Sequence, residues 1–113
     1  MDIYIILTTT SSKKEAKSIA KALLEHNLIA CAQWSKIKSL YRFKGQIHCD
    51  KEYLLTIKTT AHALESAKAL LLEKHSYKLP ECVAIKLDDS TPEYLHFVQK
   101  NCEKLSNKRD SKD

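Results

Sequence analysis

Three features of the chain predict an α+β fold built on one antiparallel sheet. Strand-like and helix-like segments follow one another as strand, helix, strand, strand, helix, strand. The run from Leu28 to Thr60 reads as a single overlong hairpin, and Gly45, the one glycine, sits at its turn signal Lys44-Gly45-Gln46. At 113 residues the chain has room for one domain, placed at 1–103, with a polar tail at 104–113 that reads as disordered.

The elements are justified in order. Asp2 to Thr8 is an apolar run of strand length. Ser12-Lys13-Lys14-Glu15 is a capping box, and Ala16, Ile19, Ala20 and Leu23 recur at helical spacing, which predicts a helix to about His26. In the second arm of the hairpin Tyr53, Leu55 and Ile57 share one face; in the first arm the apolar phase slips between Trp34 and Ile37, which predicts a bulge. Leu64, Ala67 and Leu71 mark a second helix over Ala61 to about His75, capped by Thr60. Cys82 to Leu87 is a short apolar strand, and Thr91-Pro92 opens a third helix whose inner face is Tyr94, Leu95 and Val98.

Right-handed crossovers turn this order into a ferredoxin-like sandwich, βαββαβ plus a C-terminal helix, with both main helices on one face of the sheet. The other face is left uncovered by its own chain. A hairpin arm of about 15 residues spans about 50 Å, against a diameter near 35 Å for a compact domain of this size. The far end, with Leu40, Phe43 and Ile47, is too apolar to stand in water. Both arguments predict a homo-oligomer, with those residues at the interface.

Composition narrows the function. The net charge of +5, from 19 Lys and Arg against 14 Asp and Glu, is dispersed over a helix surface and the tail, which argues against a nucleic-acid partner. The first segment has neither a basic leader nor the length to cross a bilayer, so a cytoplasmic protein without a membrane partner is expected. Cys31, Cys49, Cys82 and Cys102 are scattered and read as free thiols in a reducing compartment. No nucleophile elbow, zinc-hydrolase helix, P-loop or dinucleotide fingerprint occurs, and the expectation is a non-enzyme.

Four segments, in order and spanning nearly the whole chain, resemble the CutA divalent-cation tolerance family, small proteins similar in architecture to PII signalling proteins. They are Leu28-Ile29-Ala30-Cys31-Ala32, the hairpin tip Ser39 to Ile47 with Phe43 at the family's tryptophan, Glu52 to Thr60, and His75-Ser76-Tyr77-Lys78-Leu79-Pro80-Glu81. The resemblance implies a homotrimer whose long hairpins pair edge to edge between subunits. It also implies a role in tolerance of copper and other divalent cations, with Cu2+ or another divalent cation weakly bound and no organic cofactor. The family's copper ligands are a cysteine near the end of the first strand and paired histidines before the Tyr77 segment. Here those positions hold Thr8 and then Lys74 and His75, so His75 alone carries over as a metal candidate.

The residues themselves offer a ligand cleft and competing plain readings. His75, Tyr77 and Glu81 follow a helix end in a proline-bearing loop, where polar side chains gather at a rim; the plain alternative is a histidine that complements the dipole of the last helical turn and a Glu81 that simply anchors the loop. Lys58 before Thr59 and Thr60 is either an anion site at a helix start or an ordinary cap beside a long lysine. Trp34, Tyr41 and Phe43 either line the cleft or pack at the interface. His48, Asp50 and Glu52 alternate onto one face, as a weak cation site or a solvated strip. The alternative function is a PII-like signalling module binding a nucleotide or other small anion, motivated by Lys58 and Arg42; a third is a scaffold that binds neither.

Overall fold

The computed structural model describes residues 2–112, with side chains described through 102. Strand β1 (Ile3–Thr10), helix α1 (Lys13–Glu25), strands β2 (Cys31–Phe43) and β3 (Gln46–Thr60), helix α2 (Leu64–Lys74), strand β4 (Val83–Lys86) and helix α3 (Pro92–Lys112) follow in that order. The four strands form one sheet in the order β2-β3-β1-β4, every neighbouring pair antiparallel, as in a ferredoxin-like sandwich. The expected tail at 104–113 falls on residues whose side chains lie outside the described set.

Local chemistry sets the element ends. Ser12 Oγ accepts the Glu15 N–H at 3.0 Å, the first half of the expected capping box. The reciprocal half is absent: Glu15 turns its carboxylate to the Ser76 N–H at 2.8 Å, stitching α1 to the loop after α2. Asn27 ends α1 at φ 56°, and the bonds Leu28 N–H to Leu23 O and Asn27 N–H to Leu24 O, both 3.0 Å, complete a Schellman motif that the sequence reading did not single out. The hairpin turns on Lys44 and Gly45 alone, both with positive φ, the two-residue geometry that matches strand twist. Helix α2 starts later than expected, because Thr60 accepts the Ala63 N–H in a preceding turn and Ala63 is the residue before the helix.

The core lies between α1, α2 and one face of the sheet. Ile6, Leu55 and Ile57 from the strands meet Ile19, Leu23, Ala67 and Leu71 from the helices, with Val98 and Cys102 from α3. Tyr94, expected inside α3, is instead partly exposed and reaches Cys31 Sγ through its hydroxyl at 3.4 Å; the turn-to-turn step from Val98 places Cys102 inside. The expected bulge in β2 is also absent. From Cys31 opposite Lys58 to Phe43 opposite Gln46 the register with β3 is unbroken. The phase slip has a different cause: beyond Tyr53 neither helix covers the sheet, so burial no longer dictates which face is apolar.

The unbroken hairpin lengthens the molecule to 51 × 31 × 22 Å, with a radius of gyration of 15.2 Å, above the value of about 13 Å for a compact chain of this size. At its tip Leu40 is 74 % and Ile47 65 % exposed, and Phe43 is half exposed. On the sheet face away from α1 and α2, the register brings together Ile5 with Ile85 and Leu7 with Val83, while Thr9 stands opposite Leu54. Val83 and Ile85 are exposed, and Ile5, Leu7 and Leu54 are only half covered.

Thr8 sits on the opposite, helix-covered face, fully buried, and its hydroxyl has no partner among the described residues. An unmatched buried hydroxyl costs about 1–3 kcal/mol. Thr8→Val is therefore expected to raise stability by about 1 kcal/mol, seen as a higher denaturant midpoint with an unchanged slope. A lower midpoint would show that the hydroxyl finds a partner in solution.

Candidate functional site

The site forms where the loop after α2 meets the uncovered face of the hairpin. His75 pins the loop. Its imidazole is buried, its Nε2 lies 2.9 Å from the Thr9 carbonyl, and its Nδ1 lies 3.2 Å from the Tyr77 N–H. A carbonyl only accepts and an amide N–H only donates, so the ring is the neutral tautomer with its proton on Nε2. Glu15 braces the same loop from α1: burial, the largest single influence, pushes its carboxyl up, but the hydrogen bonds it accepts, from the Ser76 N–H above all, together with its charged surroundings lower it on balance.

Pinning His75 swings Tyr77 over the hairpin. Its ring lies 4.9 Å from the His75 ring, and its hydroxyl donates to Glu52 Oε2 at 2.7 Å. Burial, then the hydrogen bond and charge of Glu52, push the Tyr77 phenol well above its ordinary value, so it stays a neutral donor. Nearer the tip, Tyr41 donates to Asp50 Oδ2 and stacks on His48 at 5.5 Å, and Phe43 meets the same imidazole edge-on at 6.1 Å. Between these two tiers opens a cleft of about 660 Å³, bounded by Tyr41, Phe43, Asp50 and Glu52 on the hairpin and by Tyr77 and Glu81 on the loop.

Of the residues singled out from sequence, Tyr41, Arg42, Asp50, Glu52, Tyr77 and Glu81 line this cleft, together with Leu40 and Phe43 from the expected interface set. The others lie elsewhere in the chain's own structure. Lys58 is on the same sheet face but donates to Gln33 Oε1 at 2.6 Å, and Trp34 stands opposite Leu55 on the other face. Ile47 stands opposite Arg42, also on that other face. Thr59 donates to the Leu28 carbonyl at 2.7 Å and Thr60 serves the Ala63 turn, both buried, so no hydroxyl pair is left to meet an anion beside Lys58.

His75 lies behind the cleft, with both nitrogens committed to the main chain. A metal ion would have to displace one of those bonds. Thr8 is buried on the helix-covered face, and its hydroxyl makes no hydrogen bond to His75 among the described residues. Among the described residues no group of three or more His, Cys, Asp or Glu is gathered closely enough to hold a metal ion. The donor set present fits loose cation association through carboxylates, not tight chelation. Asp50, Glu52 and Glu81 carry the cleft's negative charge, and alternation along the strand was the signal for Asp50 and Glu52 in the sequence.

The cysteines are all free, and no helix among the described residues is long and apolar enough to cross a membrane.

Comparison with known proteins adds a consistent picture. The family described as CutA1 divalent ion tolerance protein matches residues 4–101. The chain is 38 % identical over 98 residues to a Thermus thermophilus protein called divalent-cation tolerance protein CutA, covering 86 % of this chain and 95 % of that one. It is 35 % identical over 100 residues to mouse protein CutA, covering 88 % of this chain and 56 % of the mouse protein. Among solved structures, CutA from Synechococcus elongatus superposes with a TM-score of 0.87 at 33 % identity, covering 89 % of this chain and 90 % of that one. The Archaeoglobus fulgidus structure, described as a periplasmic divalent cation tolerance protein CutA, gives a TM-score of 0.86 at 30 % identity, covering 88 % and 98 %.

Proposed function

Because this chain belongs to the CutA1 divalent ion tolerance family, we propose that it acts, without catalysis, as a homotrimer in divalent-cation tolerance, binding metal weakly at clefts between subunits. The observation that carries the reading is the cleft itself, where carboxylates of Asp50, Glu52 and Glu81 face an opening beside an apolar surface that needs a second chain. Carboxylate oxygens suit hard or borderline divalent cations, and few of them converging makes the binding weak. A reducing cytoplasm suits the free thiols.

The anion-binding alternative draws on Lys58 and Arg42. Lys58 is spent on Gln33, while Arg42 borders the cleft but donates to the Gly45 carbonyl at 3.3 Å. The acidic rim therefore favours the cation reading.

Calorimetric titration of the intact protein with copper(II) and zinc(II) tests it. Weak heats that fall further in Glu81→Gln are expected, and equal heats from wild type and His75→Ala would take His75 out of the site. No heat from the wild type with either metal overturns the metal-binding part of the proposal.

A further inference from the structure

We infer that this cleft recognises an organic cation, a primary alkylammonium whose N–H groups bond to the Glu52 carboxylate while its chain lies against the aromatic rings. The inference rests on the reading above only in taking the cleft to be open in the assembled protein.

Glu52 is the starting point. It is only 9 % exposed, yet its single hydrogen-bond partner among the described residues is the neutral Tyr77 hydroxyl. No lysine, arginine or histidine lies within ion-pair distance of it among the described residues. Carboxylates that are nearly buried are ordinarily matched by a cation, since the cost of removing their water is several kcal/mol per ion. Its second carboxylate oxygen is not among the sealed, partnerless atoms, and the residue borders the cleft, so that oxygen is reachable from the opening.

The surroundings select the kind of cation. Asp50 and Glu81 add negative charge that, with Glu52, outweighs the one guanidinium at the rim, Arg42, which donates to the Gly45 carbonyl, and the balance repels phosphates and carboxylates. A bare divalent ion needs several donors converging at short range, and no such group gathers among the described residues. The opening of about 660 Å³ has the size of a small-molecule site. Its walls carry the rings of Tyr41, Phe43 and Tyr77, whose faces attract cations. The chain already uses that attraction once, for the Lys44 ammonium lies 5.4 Å from the Phe43 ring centre.

The test titrates the full-length protein with butylammonium chloride by NMR, with 1-butanol as the uncharged analogue and sedimentation on the same samples. Butylammonium should shift residues of the cleft and bind more tightly than butanol. Glu52→Gln, nearly the same in shape, should weaken it about tenfold or more. Phe43→Leu, at a half-exposed position that does not threaten folding, should weaken it several-fold. Equal affinities for butylammonium and butanol, or unchanged affinity in Glu52→Gln, overturn the inference. So does a trimer that ignores butylammonium, which would assign the cation facing Glu52 to a neighbouring subunit. Copper heats without ammonium binding leave the tolerance reading standing and remove this one. Ammonium binding by a single chain does the reverse to the trimer.

Discussion

Leu7→Glu is expected to convert the proposed homotrimer into single chains. Leu7 lies in β1, between Thr56 of β3 and Val83 of β4, on the sheet face that α1 and α2 leave uncovered. In one chain it is half covered, so a glutamate there can keep its carboxylate in water. In the proposed trimer a neighbouring subunit packs on that face and removes the water. The effective cost of a buried, unpaired carboxylate is several kcal/mol, and each subunit of a trimer brings one. With each 1.4 kcal/mol worth a factor of ten in association, the interface cannot survive the change.

Sedimentation reads the result directly. The wild type should run at about three times the chain mass of 12.9 kDa, and Leu7→Glu at one chain mass with its secondary structure retained. Lys14→Glu, on the exposed surface of α1, alters charge without touching the uncovered face and should leave the assembly whole. A wild-type protein that sediments as a single chain, or a Leu7→Glu variant that stays trimeric, would contradict the proposed arrangement.

Leu55→Ala should be the most damaging single change within the subunit. Leu55 is fully buried in β3, between Thr8 of β1 and Trp34 of β2 and beneath the helices. Central strands and their covering helices cannot close a gap there, so the lost transfer energy is joined by a cavity cost, about 2–5 kcal/mol together. Denaturant unfolding at a fixed protein concentration measures it, because assembly makes apparent stability depend on concentration. Removing side-chain bulk at Leu40, which is largely exposed, should cost only a few tenths of a kcal/mol in a single chain. A larger loss there would report burial by a second subunit.

Features that depend on a few neighbouring residues are legible in the chain. Ser12 caps α1, Lys44 and Gly45 turn the hairpin, and Pro92 opens α3, because each acts on backbone within a few residues. The helical stripe of α1 and the alternation along β3 named the centre of the core, Ala16, Ile19, Ala20, Leu23, Leu55 and Ile57, since burial on one face must repeat with the period of the element. The length of the hairpin also followed from the chain, and with it the expectation of a second copy.

How separated groups share partners emerges from the folded arrangement alone. Glu15 has the spacing to close its own capping box, yet bonds to Ser76, sixty-one residues away, because the docked loop offers a better-placed donor. His75 reads as a ligand from its neighbours, but the Thr9 carbonyl and the Tyr77 amide take both of its nitrogens. Lys58 reads as an anion contact until Gln33, across the strand pair, accepts a hydrogen bond from its ammonium. The cleft joins residues near 41–52 to residues 77–81, and its shape depends on where the loop is pinned. Pairings of that kind are settled by which groups the fold leaves without water, and no local pattern in the chain records that.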